Sequence, residues 1–432
     1  MRKTSMIATA VAMTLLVWGC GDSNVRFGAQ AATPVPAVTV PAPVPATYAG
    51  PSSAYLIPEA QLRHLGLETA WSGKLPVQPQ AVILDAYLLS DVVMLESADR
   101  HLYTIDRKTG VPKWDVEIPN RCDFRGCEDD AAVYVPCRNV LVAVDKRGFI
   151  LWRKYLDFGP GGIPAADADH VYLPCFDGRL RAFLKDSRYF DLQWTTKGPV
   201  EAKPAVGQHL VYTGSSDGVL YALKSEKLDL SWSYKTFGGI RAGVVYDKMN
   251  VFLASTDGNL YCLNGFPQPS REQQLAWNLP YSSGSPIDVT PFVGRDTVFV
   301  VNRNRECHAV DRENGRKLWI LADVDRVLTQ GKLNTYLLRR DGKILAADNK
   351  SGAVRWELDL PAGAFAFIPV NVEDDVLYLI KNTGETQAVR EVRPAGVPAL
   401  APAPAAPAPE APKAPAKPAG DKPAGDKPVT GG

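Results

Sequence analysis

Net charge is the first thing missing from this 432-residue chain: 48 Lys and Arg stand against 47 Asp and Glu. Without a basic surplus there is no electrostatic case for nucleic acid, or for an anionic membrane surface, as a partner. Histidine is scarce as well. The five, His64, His101, His170, His209 and His308, are scattered with no metal-ligand spacing, so each reads as a surface or turn residue. No two cysteines are adjacent and no phosphate-cradling Gly-x-x-x-x-Gly-Lys loop occurs. A continuous apolar stretch of membrane-spanning length is also lacking, since the run from Met6 to Trp18 covers only 13 residues where a span needs about 20. What remains, at 46% apolar and 22% charged, is enough chain for a large globular core and excludes collagen, coiled coil and multi-span classes.

Proline is plentiful, at 35 residues, but unevenly placed: seven lie between Gly21 and Pro58 and eleven between Pro394 and Gly432. The flanks therefore differ from the middle. Met1 to Gly19 reads as an export signal, with Arg2 and Lys3 ahead of the apolar run. Its end, Val17-Trp18-Gly19-Cys20, resembles the bacterial lipobox, in which the cysteine is acylated and becomes the new N-terminus. Trp18 departs from the small residue preferred there, and a plain signal peptide with an incidental cysteine is the alternative. Several acyl chains on Cys20, at about 0.8 kcal/mol per buried methylene, would anchor the protein stably. Gly21 carries no obvious inner-membrane retention signal, which favours the outer membrane. Residues 20–57 form a Pro/Ala/Val tether with polyproline II preference. Residues 394–432 form a tail with too few apolar side chains to repay ordering, and are expected to be disordered.

The middle is a repeat. Beyond Trp18 the tryptophans are Trp71, Trp114, Trp152, Trp194, Trp232, Trp277, Trp319 and Trp356, spaced 43, 38, 42, 38, 45, 42 and 37 apart. A period near 41 marks a repeated supersecondary unit. Alternating strands such as Val211-Tyr-Thr or Val298-Phe-Val precede the tryptophans, and Asp-Gly follows in four copies, at Asp177, Asp217, Asp257 and Asp341. Asp-Gly between alternating strands is a strong hairpin signal, because Gly accepts the positive φ of the turn. The next strand carries a small residue in every copy: Thr104, Ala143, Ala182, Ala222, Cys262, Ala309, Ala346 and Ala388. Four short strands per repeat fit a propeller blade, with tryptophan and small column meeting where blades pack. A ring of ligand-stacking tryptophans is the lesser alternative.

The phase of the ladder predicts how the ring closes. Trp71 has no strands before it, only a short stretch from Pro58 with helical character. At the other end, Phe365 to Val370, Val376 to Ile380 and Thr386 to Val392 read as three strands with no tryptophan after them. The Trp71 segment should therefore supply the outermost strand of the last blade. The expected fold is an all-β, eight-bladed propeller over residues 58–393, closed by its N-terminal strand.

Three segments carry a family resemblance: Leu102-Tyr-Thr-Ile-Asp-Arg-Lys-Thr-Gly-Val-Pro-Lys-Trp114, Ala309-Val-Asp-Arg-Glu-Asn-Gly-Arg-Lys-Leu-Trp319, and the run from Gly342 to Trp356. They resemble the PQQ-like (pyrroloquinoline-quinone-type) propeller repeat. Within that family the eight-bladed, lipid-anchored, cofactor-free members are the BamB lipoproteins of the outer-membrane β-barrel assembly machine. The resemblance implies a monomeric scaffold without cofactor, metal or catalytic residues, binding protein partners such as the barrel-assembly machinery. It would sit in the cell envelope as an outer-membrane lipoprotein facing the periplasm. The alternative is a quinone- or sugar-binding propeller, a PQQ-dependent oxidoreductase among them. Those enzymes typically show an adjacent cysteine pair over the quinone, which this sequence lacks.

Six cysteines remain beyond Cys20. Cys137 and Cys175 occupy matching places in adjacent repeats, and Cys262 sits in the small column, so these three read as core. Cys122 and Cys127 are the local pair able to bridge a loop, and a metal there would want two further ligands. The acidic runs Glu128-Asp129-Asp130 and Asp374-Asp375 read as solvated loop charge.

Overall fold

Period-2 alternation with a turn every eight to twelve residues leaves each strand one face to bury, and neighbouring sheets bury it for one another. A computed structural model describes residues 57–75, 77, 81–186, 190–360 and 366–392 of the chain. The expected signal peptide 1–19, Cys20, the tail 394–432 and all of the tether 20–57 except Ile57 lie outside the described residues.

Among those residues the strands form seven four-stranded antiparallel sheets and one three-stranded sheet. Blades 1 to 7 occupy 83–117, 127–155, 165–195, 205–235, 245–282, 292–321 and 324–358, each with its strands in chain order. Blade 4 is representative, with Ala205–Val206 innermost, then Leu210–Gly214, Val219–Lys224 and Leu230–Lys235. Its second strand is buried throughout, whereas its outer strand alternates, as one-sided packing requires. Between the second and third strands Gly218 takes φ 82°, and Asp217 Oδ1 accepts the Val219 N–H at 2.8 Å. The turns at Asp177, Asp257 and Asp341 repeat that bond to the residue two positions on.

Blade 8 closes the ring as the phase predicts. Leu67–Lys74 runs antiparallel to Glu385–Glu391, with Leu67 opposite Glu391 and Trp71 opposite Ala388. Trp356 stands opposite Ala346 in the same way in blade 7. The inner strand expected over 365–370 is a correction. Phe365 is outside the described residues, and the rest is reduced to one bridge, Phe367 to Ile380. The N-terminal segment adds to the core shared by blades 7 and 8. Helix Glu59–His64 buries Leu62 completely, and Ile57 exchanges two hydrogen bonds with the Gln387 side chain. No helix among the described residues is long and apolar enough to cross a membrane.

Eight apolar clusters fill the eight gaps between blades, and each contains one tryptophan of the ladder. Six tryptophans are buried; Trp194 and Trp356 are half-buried. Each reaches toward the following blade. Trp71 Nε1 donates to Arg107 O at 2.7 Å, Trp277 to Arg312 O at 3.0 Å and Trp319 to Asn349 O at 3.0 Å. Just beyond each acceptor the chain turns at Gly110, Gly315 or Gly352, all at positive φ. A Cβ on Gly352 would lie 2.6 Å from Trp319, and one on Gly315 would lie 2.7 Å from Trp277. Only glycine allows the ring to lie flat against that turn.

Candidate interaction surface

Antiparallel topology sends the turns to two opposite faces. Links from first to second and from third to fourth strand lie on one face; links from second to third, and from blade to blade, lie on the other.

The first face is built to hold blades together. Cations in the loop between third and fourth strand, two of which (Arg107 and Arg312) also supply the carbonyl that accepts the preceding tryptophan, pair with acids of the preceding blade. Arg107 binds Glu373 and Asp374 of blade 8, the latter at 3.0 Å, and also Asn371. Lys185 pairs with Asp129 of blade 2, and Arg312 with Asp247 of blade 5. Glu128 takes Lys146 and the Ser90 N–H. The acids at 128, 129 and 374, expected as solvated loop charge, are therefore ion-paired ties between or within blades. A cavity of about 600 Å³ opens beside them, lined by Asp247, Arg312, Gln330 and Glu373 among others.

The second face presents apolar groups on a rigid base. Thr196 Oγ1 donates toward Gly178 O and Gly198 O, and Thr236 Oγ1 toward Gly218 O and Gly238 O. Ser283 repeats the pattern with Gly258 and Ser285. Blade-to-blade loops are tied forward as well: the Lys197 N–H donates to Asp217 Oδ2 at 2.9 Å, and the Phe237 N–H to Asp257 Oδ2 at 3.0 Å. With its backbone fixed, the Phe237 ring projects outward at 87% exposure, and Phe176, beside Asp177, is 53% exposed. Phe124, from the loop between blades 1 and 2, packs on Phe176 with ring centroids 6.3 Å apart. Next to it lies a cleft of about 630 Å³ lined by Asp85, Glu96, Arg121, Cys122, Arg125 and Arg138. Arg125 closes part of its wall through two 2.7 Å bonds to Asp85, and burial raises the Glu96 carboxyl above its ordinary range.

Gly214-Ser-Ser-Asp-Gly218 on this face has the Gly-x-Ser-x-Gly pattern of a hydrolase nucleophile elbow. It is a hairpin turn between two strands instead of a strand-to-helix turn, and Ser216 Oγ donates to Glu201 at 2.8 Å. No three or more His, Cys, Asp or Glu side chains gather in a metal-ligating arrangement among the described residues.

The remaining sequence candidates separate as follows. Cys122 and Cys127 are not bridged; both carry free thiols. Cys127 starts the inner strand of blade 2 and faces the blade 2–3 cluster with Tyr134 and Trp152, where burial pushes its thiol up to about 12. Cys122 instead packs in the blade 1–2 cluster, with its Sγ 3.1 Å from Cys137 Sγ. Cys137, Cys175 and Cys262 are fully buried. His64 and His209 are exposed and His101 half-buried, but His170 and His308 are buried and not on the surface. His308 Nδ1 meets Tyr281 OH at 2.8 Å and its Nε2 meets Asn302 Nδ2 at 3.2 Å, and burial lowers its pKa.

Comparison with known proteins gives two kinds of match. The crystal structure of BamB from Moraxella catarrhalis aligns over 75% of this chain and 97% of its own, with TM-score 0.61 and 18% identity. The computationally designed protein Ika8 aligns over 73% and 98%, with TM-score 0.57 and 14% identity. These likenesses establish the shared fold. No curated protein matches the sequence. The PQQ_2 family model, described as outer membrane protein assembly factor BamB, matches residues 137–239 and 235–366. Since those stretches cover more than half of its length, this chain belongs to that family of PQQ-like propellers.

Proposed function

We propose that the protein is a non-enzymatic, protein-binding scaffold of the cell envelope that serves outer-membrane protein assembly. The observation that carries the reading is the second face: Phe176 and Phe237 stand exposed on loops whose backbone is tied blade to blade. Aromatic side chains on a rigid base lose little entropy on binding and supply the apolar anchors typical of interface hot spots. The family description, assembly factor BamB, supports a component of the outer-membrane assembly machinery as partner. In the test, tagged full-length chain captures partners from detergent-solubilised envelopes. Phe176→Ser with Phe237→Ser should reduce capture at least tenfold while leaving the melting temperature within about 2 °C, as expected for surface changes. Undiminished capture would sink this face as the interface, and turnover of an alcohol with a dye acceptor, quinone and Ca²⁺ would sink the scaffold reading itself.

Tethering is part of the same reading. Residues 1–19 act as the export signal, acylated Cys20 holds the propeller at the outer membrane facing the periplasm, and the tether gives it reach up to Ile57, which is docked on the propeller. At about 3.1 Å per residue in polyproline II form, that tether could extend on the order of 100 Å. Replacing Cys20 by Ser should move the protein from the membrane fraction to the detergent-free soluble fraction. If the variant stays with the membrane, the lipid anchor is wrong.

A further inference from the structure

We infer that Cys122 and Cys137 form a thiol pair that closes to an intrachain disulfide by exchange with a protein or small-molecule disulfide, pinning the Phe124 loop to the rim of blade 2. Three observations carry this. The two sulfurs lie 3.1 Å apart. A disulfide is about 2.05 Å long, so closure asks for an approach of about 1 Å. Both cysteines are held by the fold, not by chance proximity. Cys137 ends a strand and pairs with Val140 across a turn whose Arg138 takes φ 54°, and the Cys122 N–H donates to the buried Glu96 carboxylate at 2.7 Å. Finally, one of the pair can be reached: Cys137 is fully buried, whereas Cys122 is half-buried and lines the 630 Å³ cleft.

The arrangement is also singular within the repeat. Cys175 holds the same position in blade 3, but the loop residue bridged to it is Pro160, which offers no sulfur. Cys127, the partner that sequence spacing suggests, packs in the blade 2–3 cluster, whereas Cys122 packs in the blade 1–2 cluster with Cys137.

The exchange balances as follows. The Cys122 thiolate attacks R–S–S–R, giving a mixed disulfide and releasing one RS⁻. The Cys137 thiolate then attacks the Cys122 sulfur and expels the second RS⁻. Two protein thiols lose two protons and two electrons, and one R–S–S–R becomes two RSH. The Cys137 contact, then burial, push the Cys122 thiol above its ordinary range, so the reaction is slow unless thiolate is favoured. Closure spans 15 residues and fixes the loop that carries Phe124 against Phe176. Only this last consequence, a fixed aromatic patch, rests on the scaffold reading; the bond itself does not.

The test uses full-length protein with oxidised glutathione at about pH 8.5, followed by denaturing alkylation and tryptic mapping. Trypsin separates residues 122–125 from 126–138, so the Cys127→Ser variant leaves a single cysteine in the second peptide. In that variant the two peptides should be found joined and two thiols lost. Cys137→Ser should instead leave Cys122 as a mixed disulfide with glutathione. Recovery of Cys122 and Cys137 both alkylated, in chain shown to be folded by its melting transition, would overturn the pair. So would Cys122 linked to Cys127 in the unsubstituted protein.

Discussion

A chain beginning at residue 76 should fail to fold as a monomer, whereas one beginning at residue 55 should melt cooperatively. The shorter chain loses Ile57, Leu62, Leu67, Trp71 and Leu75, each 9% exposed or less. At about 2 kcal/mol for each buried apolar side chain the loss is about 10 kcal/mol, as large as the net stability of most domains. It also strips the outer strand from Glu385–Glu391, leaving that edge unpaired and open to aggregation. Thermal melting and size-exclusion profiles of the two chains decide the matter. Equal melting temperatures would mean that residues 67–74 do not close the ring, and the count of blades would fall to seven.

Alanine replacements along the tryptophan ladder should divide by burial and bonding instead of costing a uniform amount. Trp277 is 2% exposed, and Trp277→Ala should destabilise by roughly 3–5 kcal/mol as a large-to-small core change. The Arg312 carbonyl loses its indole donor as well. Trp232, 8% exposed and donating to Gly265 O at 3.2 Å, belongs with it. Trp194 differs, being half-buried with an Nε1 that has no hydrogen-bond partner. Removing it also removes an unsatisfied donor, so Trp194→Ala should cost at least about 1 kcal/mol less than Trp277→Ala. Urea denaturation midpoints would read this out. Small, equal losses at all three positions would favour tryptophans that serve a ligand over tryptophans that join blades.

The ladder itself was legible because one large, rare residue recurs once per blade, and its phase exposed the missing strand at each end. What the period could not convey is which blade a side chain serves. Gly110 and Trp114 share a repeat in sequence, yet the glycine receives Trp71 from the blade before. The same offset hid the role of the acids. Arg107 meets Asp374 across 267 residues and Arg312 meets Asp247 across 65, so neither pairing shows in local charge patterning. The candidate surface was illegible for a related reason, since Phe124 lies on the loop entering blade 2 and Phe176 on a turn of blade 3, and they meet only once these two blades stack. The inner strand of blade 8 was overread because its alternation looks like that of its neighbours.

Ring closure also sets an order of events in time. The Ile57 N–H reaches the Gln387 side chain across 330 residues, so the first strand of the propeller cannot find its partner until nearly the whole chain exists. Closing a free loop of that length costs about 5 kcal/mol in chain entropy, a cost that neighbour-by-neighbour stacking of the intervening blades removes in steps. The seven blades between them must therefore assemble first as an open arc. Until that arc is complete the N-terminal strand waits unpaired, and the expected last step of folding joins the first strand of the propeller to its last blade.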